Sequence, residues 1–299
     1  MSYSNFKPSL VLANLVLNFR KNLPGLAFCN TSITTGLKAK GTQLDINTLN
    51  DASANDVDEG TAMTYNELDT TNNSLTITLD KEVPVKIRDN DKVQIESSGQ
   101  SLEAAIAGTM TYALADELDQ LIFGKYTEIT TDNFETGSTA WQWGASPTAA
   151  EIAKFFASVH KDMDDNDCPQ RGRFIALPNI AIQGIRIAHG TVETVGGDAA
   201  RGASSSSIGP MGGFAQVFQA PNVVEAASVA HGIAGNMPNV GMGVPGGIAC
   251  AVQIDPSQIE KLRLEGFWAD GIRVRITAGA KVYRPSEMVD VNLDTDLLA

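Results

Sequence analysis

Residues Leu75–Gly124 read LTITLDKEVPVKIRDNDKVQIESSGQSLEAAIAGTMTYALADELDQLIFG. The stretch changes period within itself. Leu75, Ile77 and Leu79 alternate with Thr76 and Thr78, the pattern of a strand. Leu102, Ile106, Met110, Leu114, Leu118, Leu121 and Ile122 recur every three or four residues, the pattern of a helix. Ser101 is a good N-cap, Glu103 suits the first turn, and Gly124 suits a stop. Five alanines, Ala104, Ala105, Ala107, Ala113 and Ala115, raise helix propensity. The spacing predicts a helix over 101–123, a rod of about 35 Å, acting as a core spine.

Upstream the chain is of another character. Between Lys40 and Lys81 there is no basic residue, and eight acids occur: Asp45, Asp51, Asp56, Asp58, Glu59, Glu67, Asp69 and Asp80. Leu44 and Ile46 flank one side of this stretch as Leu75, Ile77 and Leu79 flank the other, while Thr48 to Asn73 has no apolar period. Two strands around a polar tip predict a long β-hairpin within 36–88, its arms of about 15–20 residues reaching on the order of 50 Å. Isolated hairpins are marginal, so this one is expected to need a partner surface. Residues 1–35 read as an arm: Leu10, Leu12, Leu15, Val16 and Leu17 make an apolar strip, broken by Pro24 and Gly25.

Downstream, Trp141 and Trp143 alternate in a polar, strand-like stretch over 125–147. Pro147 and Thr148 open a second helix with the stripe Ile152, Phe155, Phe156, Val159 and Met163. Arg173 to Leu177 reads as a buried strand, and Gly213 to Phe218, Val223-Val224, Ile248 to Ile254 and Ile272 to Tyr283 as further strands. The tail from Val289 is acidic and reads as extended. Two glycine- and serine-rich stretches, 196–213 and 235–247, have the length and composition of interface loops.

Composition narrows the function. The chain has 299 residues, long enough for about two domains, with 43% apolar and 19% charged residues. Lys and Arg number 22 against 35 Asp and Glu, a net charge of −13. That opposes tight binding to nucleic acid, which needs a basic patch, and docking on anionic lipid. No run approaches the ~20 apolar residues that span a bilayer. Arg20 and Lys21 come after the short apolar strip, whereas a secretory signal needs a basic region before it and a small-residue cleavage site after it, so no secretory signal is read and a reducing cytoplasm is expected. Cys29, Cys168 and Cys250 lie more than 80 residues apart, a spacing for neither a disulfide framework nor zinc.

Catalytic and cofactor motifs fail one by one. Gly241-Met-Gly243-Val-Pro-Gly246 spells the dinucleotide fingerprint, but a β-rich run and Pro245 follow where a helix N-terminus is required. Asp162, Asp164 and Asn166 match the first positions of a calcium loop, but Asp167 replaces its glycine and Arg173 its final Glu. Cys168 has no histidine near it in sequence, and no Gly-x-Ser-x-Gly occurs. No cofactor, metal or catalytic residue is expected.

The ordered set of elements resembles the major capsid proteins of tailed bacteriophages, an α+β class known as the Hong Kong 97-like fold. Tyr65-Asn-Glu-Leu68 before Leu75-Thr-Ile-Thr-Leu79-Asp-Lys resembles the return arm of that family's extended loop. Val83-Pro-Val-Lys-Ile87 with Asp89 and Asp91 resembles the approach to its spine helix, and Ala113-Leu-Ala115 with Asp116 and Asp119 the spine itself. Gly209 through Phe214, before Val217 and Pro221-Asn222, resembles the approach to an axial-domain strand. Glu260 to Glu265 and Gly271 through Pro285 resemble the closing strands of the peripheral domain.

The resemblance implies an N-terminal arm at 1–35 and an extended loop at 36–88. It implies a peripheral domain at 89–147 and 253–299, with its spine at about 101–123, and an axial domain at 148–252. It implies hexamers and pentamers of this chain closing into an icosahedral shell around double-stranded DNA, which is enclosed without tight binding. A separate scaffolding protein, a portal and a decoration or cement protein are the implied partners, with no membrane, and assembly in the cytoplasm of a host bacterium. A compartment of the encapsulin type on the same fold, or an enzyme with an unrecognised site, are the alternatives. An acidic hairpin repels itself in solvent, so Asp51, Asp56, Asp58 and Glu59 are expected to meet cations of a neighbouring subunit, drawn from Arg20, Lys21, Arg171, Arg173, Lys261 and Arg263.

Overall fold

The computed structural model describes residues 21, 23–32, 43–49, 52, 54–56, 65, 67, 69–96, 102–134, 138–188, 207–238, 246–254 and 259–298. The chain divides into two compact units. The first holds Lys21, Lys81–Asp116 and Ile254–Ile276, and the second Asn22–Asp80, Glu117–Gln253 and Thr277–Ala299.

A short helix, α1 (Gly25–Phe28), precedes strands β1 (Gln43–Leu49), β2 (Thr70–Thr76) and β3 (Leu79–Arg88). Helix α2 (Asp89–Glu96) follows, and then the long helix α3 (Leu102–Phe123), where the apolar spacing predicts it. On α3, Met110, Leu114, Leu118 and Ile122 are buried, one seam at i, i+4. After a 3-10 turn come β4 (Thr131–Asn133), α4 (Ala149–Asp165), β5 (Arg173–Leu177) and α5 (Asn179–Ala188). The chain closes with β6 (Ser207–Met211), β7 (Phe214–Gln219), β8 (Val224–Ala226), β9 (Val229–Asn236), β10 (Ile248–Ile254), β11 (Ile259–Arg263), β12 (Ala269–Val282) and β13 (Val289–Asp294).

The second unit is built on a mixed seven-stranded sheet of order β4-β13-β9-β5-β7-β6, with β8 paired to β9. The pairs β5–β7 and β4–β13 are parallel, and those of β9 with β5 and β13 antiparallel. On α4, Thr148 and Glu151 form a reciprocal capping box, and the buried residues are the five of the sequence stripe. They join Trp141, Trp143, Ile182, Ile185, Ile175, Phe214 and Val291 in one apolar cluster. Strand alternation points Phe174 and Phe218 to the opposite face, where Phe28 stacks on Phe174 at 4.5 Å and meets Phe123 edge-on at 5.8 Å.

The hairpin is real but shorter than expected. β1 and β2 pair antiparallel over seven residues each, from Gln43↔Thr76 to Leu49↔Thr70, about 23 Å at the usual rise. The described residues between them, Ala52, Ala54 to Asp56, Tyr65, Glu67 and Asp69, lie outside any strand. Nor does the base wait for a partner: Leu75 is fully buried against Ala249, Ala251 and Tyr283 of its own unit, with Leu44 and Ile77 beside it. Gly279 explains the close approach, since a Cβ there would lie 2.4 Å from the Thr76 carbonyl oxygen.

Helices α2 and α5 and the burial of β13 are not foreseen by the pattern. The described residues of 125–147 hold the end of a 3-10 helix (Gly124–Glu128), β4 and a bridge at Trp141, and are otherwise irregular.

Candidate assembly surfaces

In the second unit the hairpin projects its acids. Asp45 accepts from the Gln43 side chain at 2.9 Å, and Asp56, Glu67 and Asp69 are exposed. Asp51, Asp58, Glu59 and Arg20 lie outside the described residues.

The cations named by sequence are differently placed. Lys21 Nζ sits 2.8 Å from Asp116 on α3. Arg171 is exposed at the turn before β5, and no ion pair of it occurs among the described residues. Arg173, two residues on, is only 3% exposed and serves its own chain. Its Nε donates to the Pro169 carbonyl at 3.0 Å and its Nη2 to the Cys168 carbonyl and Asp164, both at 2.6 Å. Its Nη1 donates to His160 Nδ1 at 3.0 Å, which leaves His160 Nε2–H to donate to the Gly212 carbonyl at 2.9 Å. Burial, and then the Arg173 charge, hold His160 below its ordinary pKa. A guanidinium so occupied is not offered to a neighbour.

Lys261 and Arg263 belong to a charged lattice in the first unit. Glu103 at the start of α3 takes Lys92 at 2.7 Å and also Lys261. Arg263 forks onto Asp89 at 2.6 Å and Asp270 at 2.9 Å. These partners hold the Asp89 and Glu103 carboxyls below the usual carboxylate range. The lattice fastens α2, which has almost no apolar stripe, to β11 and β12.

Around this lattice the same unit displays apolar side chains that sequence reading missed. Trp268 is 86% exposed, Val93 69% and Phe267 60%, and Ile259 and Leu262 are about half exposed. Lys86 Nζ lies over the Phe267 ring, 3.3 Å from its centre, a cation–π contact on one face. The available signal is Gly266-Phe267-Trp268: a glycine at φ +74° turns the chain between two paired strands and leaves two aromatics on the tip. Two adjacent aromatics left exposed at the tip of one turn make that tip a candidate contact surface.

The residues that might have carried chemistry are committed elsewhere. Asp164 pairs with Arg173, and Asp162 accepts from the Asn133 amide. Among the described residues no group of three His, Cys, Asp or Glu side chains could hold a metal. Burial pushes the Cys168 thiol up to about 11 and the Cys250 thiol up to about 12, unsuited to a nucleophile. Asp290 meets His231 Nδ1 at 2.9 Å, and burial raises its carboxyl to about 6 against the pull of that imidazole. Tyr126 stacks over the His231 ring at 4.1 Å, closing the pair off. Of the fingerprint glycines only Gly246 is described, and a strand, β10, follows it. No described helix is long and apolar enough to cross a membrane.

No protein-family model matches the chain, and no curated protein matches it. Solved structures do. One from Mycobacterium phage Che8 is similar with a TM-score of 0.75 at 21% identity, over 97% of this chain and 98% of that one. The capsid structure of the cyanophage P-SCSP1u is similar with a TM-score of 0.69 at 14% identity, over 97% and 93%. The capsid of Ralstonia phage GP4 gives 0.60 at 10% identity, over 94% and 93%. End-to-end likeness at such low identity is a likeness of fold, and the fold of this chain is that of the phage capsid proteins, the Hong Kong 97-like fold.

Proposed function

We propose that the chain is the major capsid protein of a tailed bacteriophage, assembling with copies of itself into hexamers and pentamers that close an icosahedral shell around double-stranded DNA. The observation that carries this reading is the extent of the likeness: 97% of this chain matches 98% of the phage Che8 chain and 93% of the cyanophage capsid chain. Two features support it. The candidate chemical groups have partners within the fold, and Phe267 and Trp268 of the first unit, 60% and 86% exposed, offer aromatic surface that another copy could cover.

In this reading residues 1–35 are the arm and 36–88 the extended loop. Residues 89–147 and 253–299 form the peripheral domain and 148–252 the axial domain, whose glycine-rich stretches meet around the symmetry axes. A scaffolding protein, a portal and a decoration protein complete the assembly, in the cytoplasm of the host bacterium. The acids of the loop, Asp51, Asp56, Asp58 and Glu59, face cations of the next subunit, with Arg171 the best placed of those named.

Electron microscopy of the purified chain tests the reading. Closed shells or rings of five and six subunits are expected. A protein that stays monomeric at high concentration, with and without a co-expressed scaffold, overturns it. Nuclease-resistant DNA in shells from infected cells separates a virion from a compartment that holds protein cargo.

A further inference from the structure

Helix α4, strand β5 and the hairpin of β6 and β7 meet at one imidazole. His160 of α4 has Nδ1 3.0 Å from Arg173 Nη1 and Nε2 2.9 Å from the Gly212 carbonyl in the β6–β7 turn. A guanidinium only donates and a carbonyl only accepts. Nδ1 therefore carries a lone pair, and the ring's single proton sits on Nε2. Both bonds hold in that neutral tautomer alone. An imidazolium donates from both nitrogens, so it loses the Arg173 bond and faces that cation instead. We infer that the β6–β7 turn is a proton-operated latch, docked on α4 while His160 is neutral and released when the ring takes a proton.

The part that moves is well defined. β6 is the outer strand of its sheet, paired to β7 with register shifts on either side of Gly209. β7 is held independently, because from Gln216 onward it also pairs with β5. The turn between them is seated closely. A Cβ on Gly212 would lie 2.5 Å from the Phe156 ring, and one on Gly213 2.7 Å from His160 Nε2. Gly212 and Gly213, at φ +58° and +91°, bring backbone and no side chain to this seat, so the imidazole bond is their polar tie to α4.

The groups around the ring set the direction. β5 brings the Arg173 cation. α4 itself brings Asp164, half exposed and already paired with Arg173 at 2.6 Å. The turn and β7 bring no charge: Met211, the two glycines, and Phe214, whose ring stacks on the imidazole at 4.1 Å. Burial and the Arg173 charge oppose the proton and outweigh Asp164 and the Gly212 carbonyl, so the docked ring is held below its ordinary pKa. A ring turned out to water titrates near 6.5. Acid therefore favours the released form as pH falls below about 6.5, by at most about tenfold per unit. The inference does not rest on the capsid reading, since it concerns a single chain.

The test is hydrogen exchange on the unassembled full-length chain near pH 7.5 and 5, with rates corrected for intrinsic exchange. Gly209, Met211 and Phe214 lie in the β6–β7 pairing. Their amides are expected to lose protection about three- to thirtyfold at the lower pH, thirtyfold being the ceiling for one histidine over the units below 6.5. Local release exposes little surface, so this exchange is expected to be insensitive to dilute urea, whereas that of β9, in the middle of the sheet, rises with it. His160→Gln is expected to abolish the acid response: its amide oxygen takes the Arg173 bond, its NH2 the Gly212 bond, and it does not titrate. Protection at the three amides that pH leaves unchanged, exchange there that rises with urea as β9 does, or an equal acid response in His160→Gln overturns the inference. Should the variant fail to fold, the parent decides by its pH and urea responses and by the nitrogen-15 shifts of the ring. A neutral ring carrying its proton on Nδ1 overturns the latch as well.

Discussion

At the scale of single residues, Arg173 shows how a cation that reads as surface charge becomes structural. Five positions upstream and one turn of α4 supply it with two carbonyls, a carboxylate and an imidazole. Arg173→Met should cost about 1–3 kcal/mol, because it leaves the buried Cys168 carbonyl and His160 Nδ1 without their donor, while the half-exposed Asp164 returns to water. Thermal melting of the unassembled subunit checks this, and an unchanged midpoint would count against the assignment. The same cluster sets a pH dependence. His160 is held below its ordinary pKa, so the folded state binds fewer protons than the unfolded one as pH falls through 6.5. Stability is therefore full above that value and declines below it. His160→Gln should flatten the melting temperature between pH 7 and 5, while the parent falls. At the hairpin base, Gly279→Val would force a side chain into the Thr76 backbone. A loss of about 1–3 kcal/mol is expected from such overpacking, read as an earlier unfolding midpoint in urea.

At the scale of elements, the legible parts are those whose burial follows one period. Helix α4 is the clean case, since Ile152, Phe155, Phe156, Val159 and Met163 are both its sequence stripe and its buried residues. Strand β5, read as buried, is buried at every position. Helix α2 was illegible because DNDKVQIE has no stripe, and ion pairs to β11 and β12 hold it. Helix α5 was hidden by Gly184, a poor helix former that is needed because a Cβ there would lie 2.6 Å from the Trp143 ring. β13 reads as an acidic tail, yet lies between β4 and β9 and buries Asp290 and Asn292, the first by pairing with a histidine 59 residues away. Long-range partners of this kind leave no local trace. Exposure of the hairpin acids Asp56, Glu67 and Asp69 follows from their charge, whereas that of Phe267 and Trp268 in the first unit contradicts the ordinary reading of apolar residues. The hairpin tip supplies this scale's prediction. Exposed ion pairs are worth only about 0–1 kcal/mol each, but in the proposed shell every subunit interface would repeat those of the tip. Particles carrying Asp56→Ala, Asp58→Ala and Glu59→Ala together should dissociate at lower temperature and lower salt than the parent, with the subunit fold unchanged. Equal resistance would make the tip a passive loop.

At the scale of the whole molecule, the net charge of −13 agrees with the proposed role as a container. Phosphates are repelled at short range, and salt screens the repulsion beyond about 8–10 Å, so in that role enclosed DNA would neither adhere nor feel the wall at a distance. The purified chain should give no mobility shift of duplex DNA at physiological salt. A clear shift that weakens as salt rises would contradict this. The hairpin adds a mechanical property. Its inner end is gripped by Leu75 and by the close approach at Gly279. Beyond Leu44↔Leu75, none of the paired residues from Asp45↔Ser74 to Leu49↔Thr70 matches apolar with apolar, so the register there is weakly specified. A beam clamped at one end and loosening toward the other is a cantilever: load applied at its tip is absorbed as bending along the free length, and the core at the clamp is spared the strain.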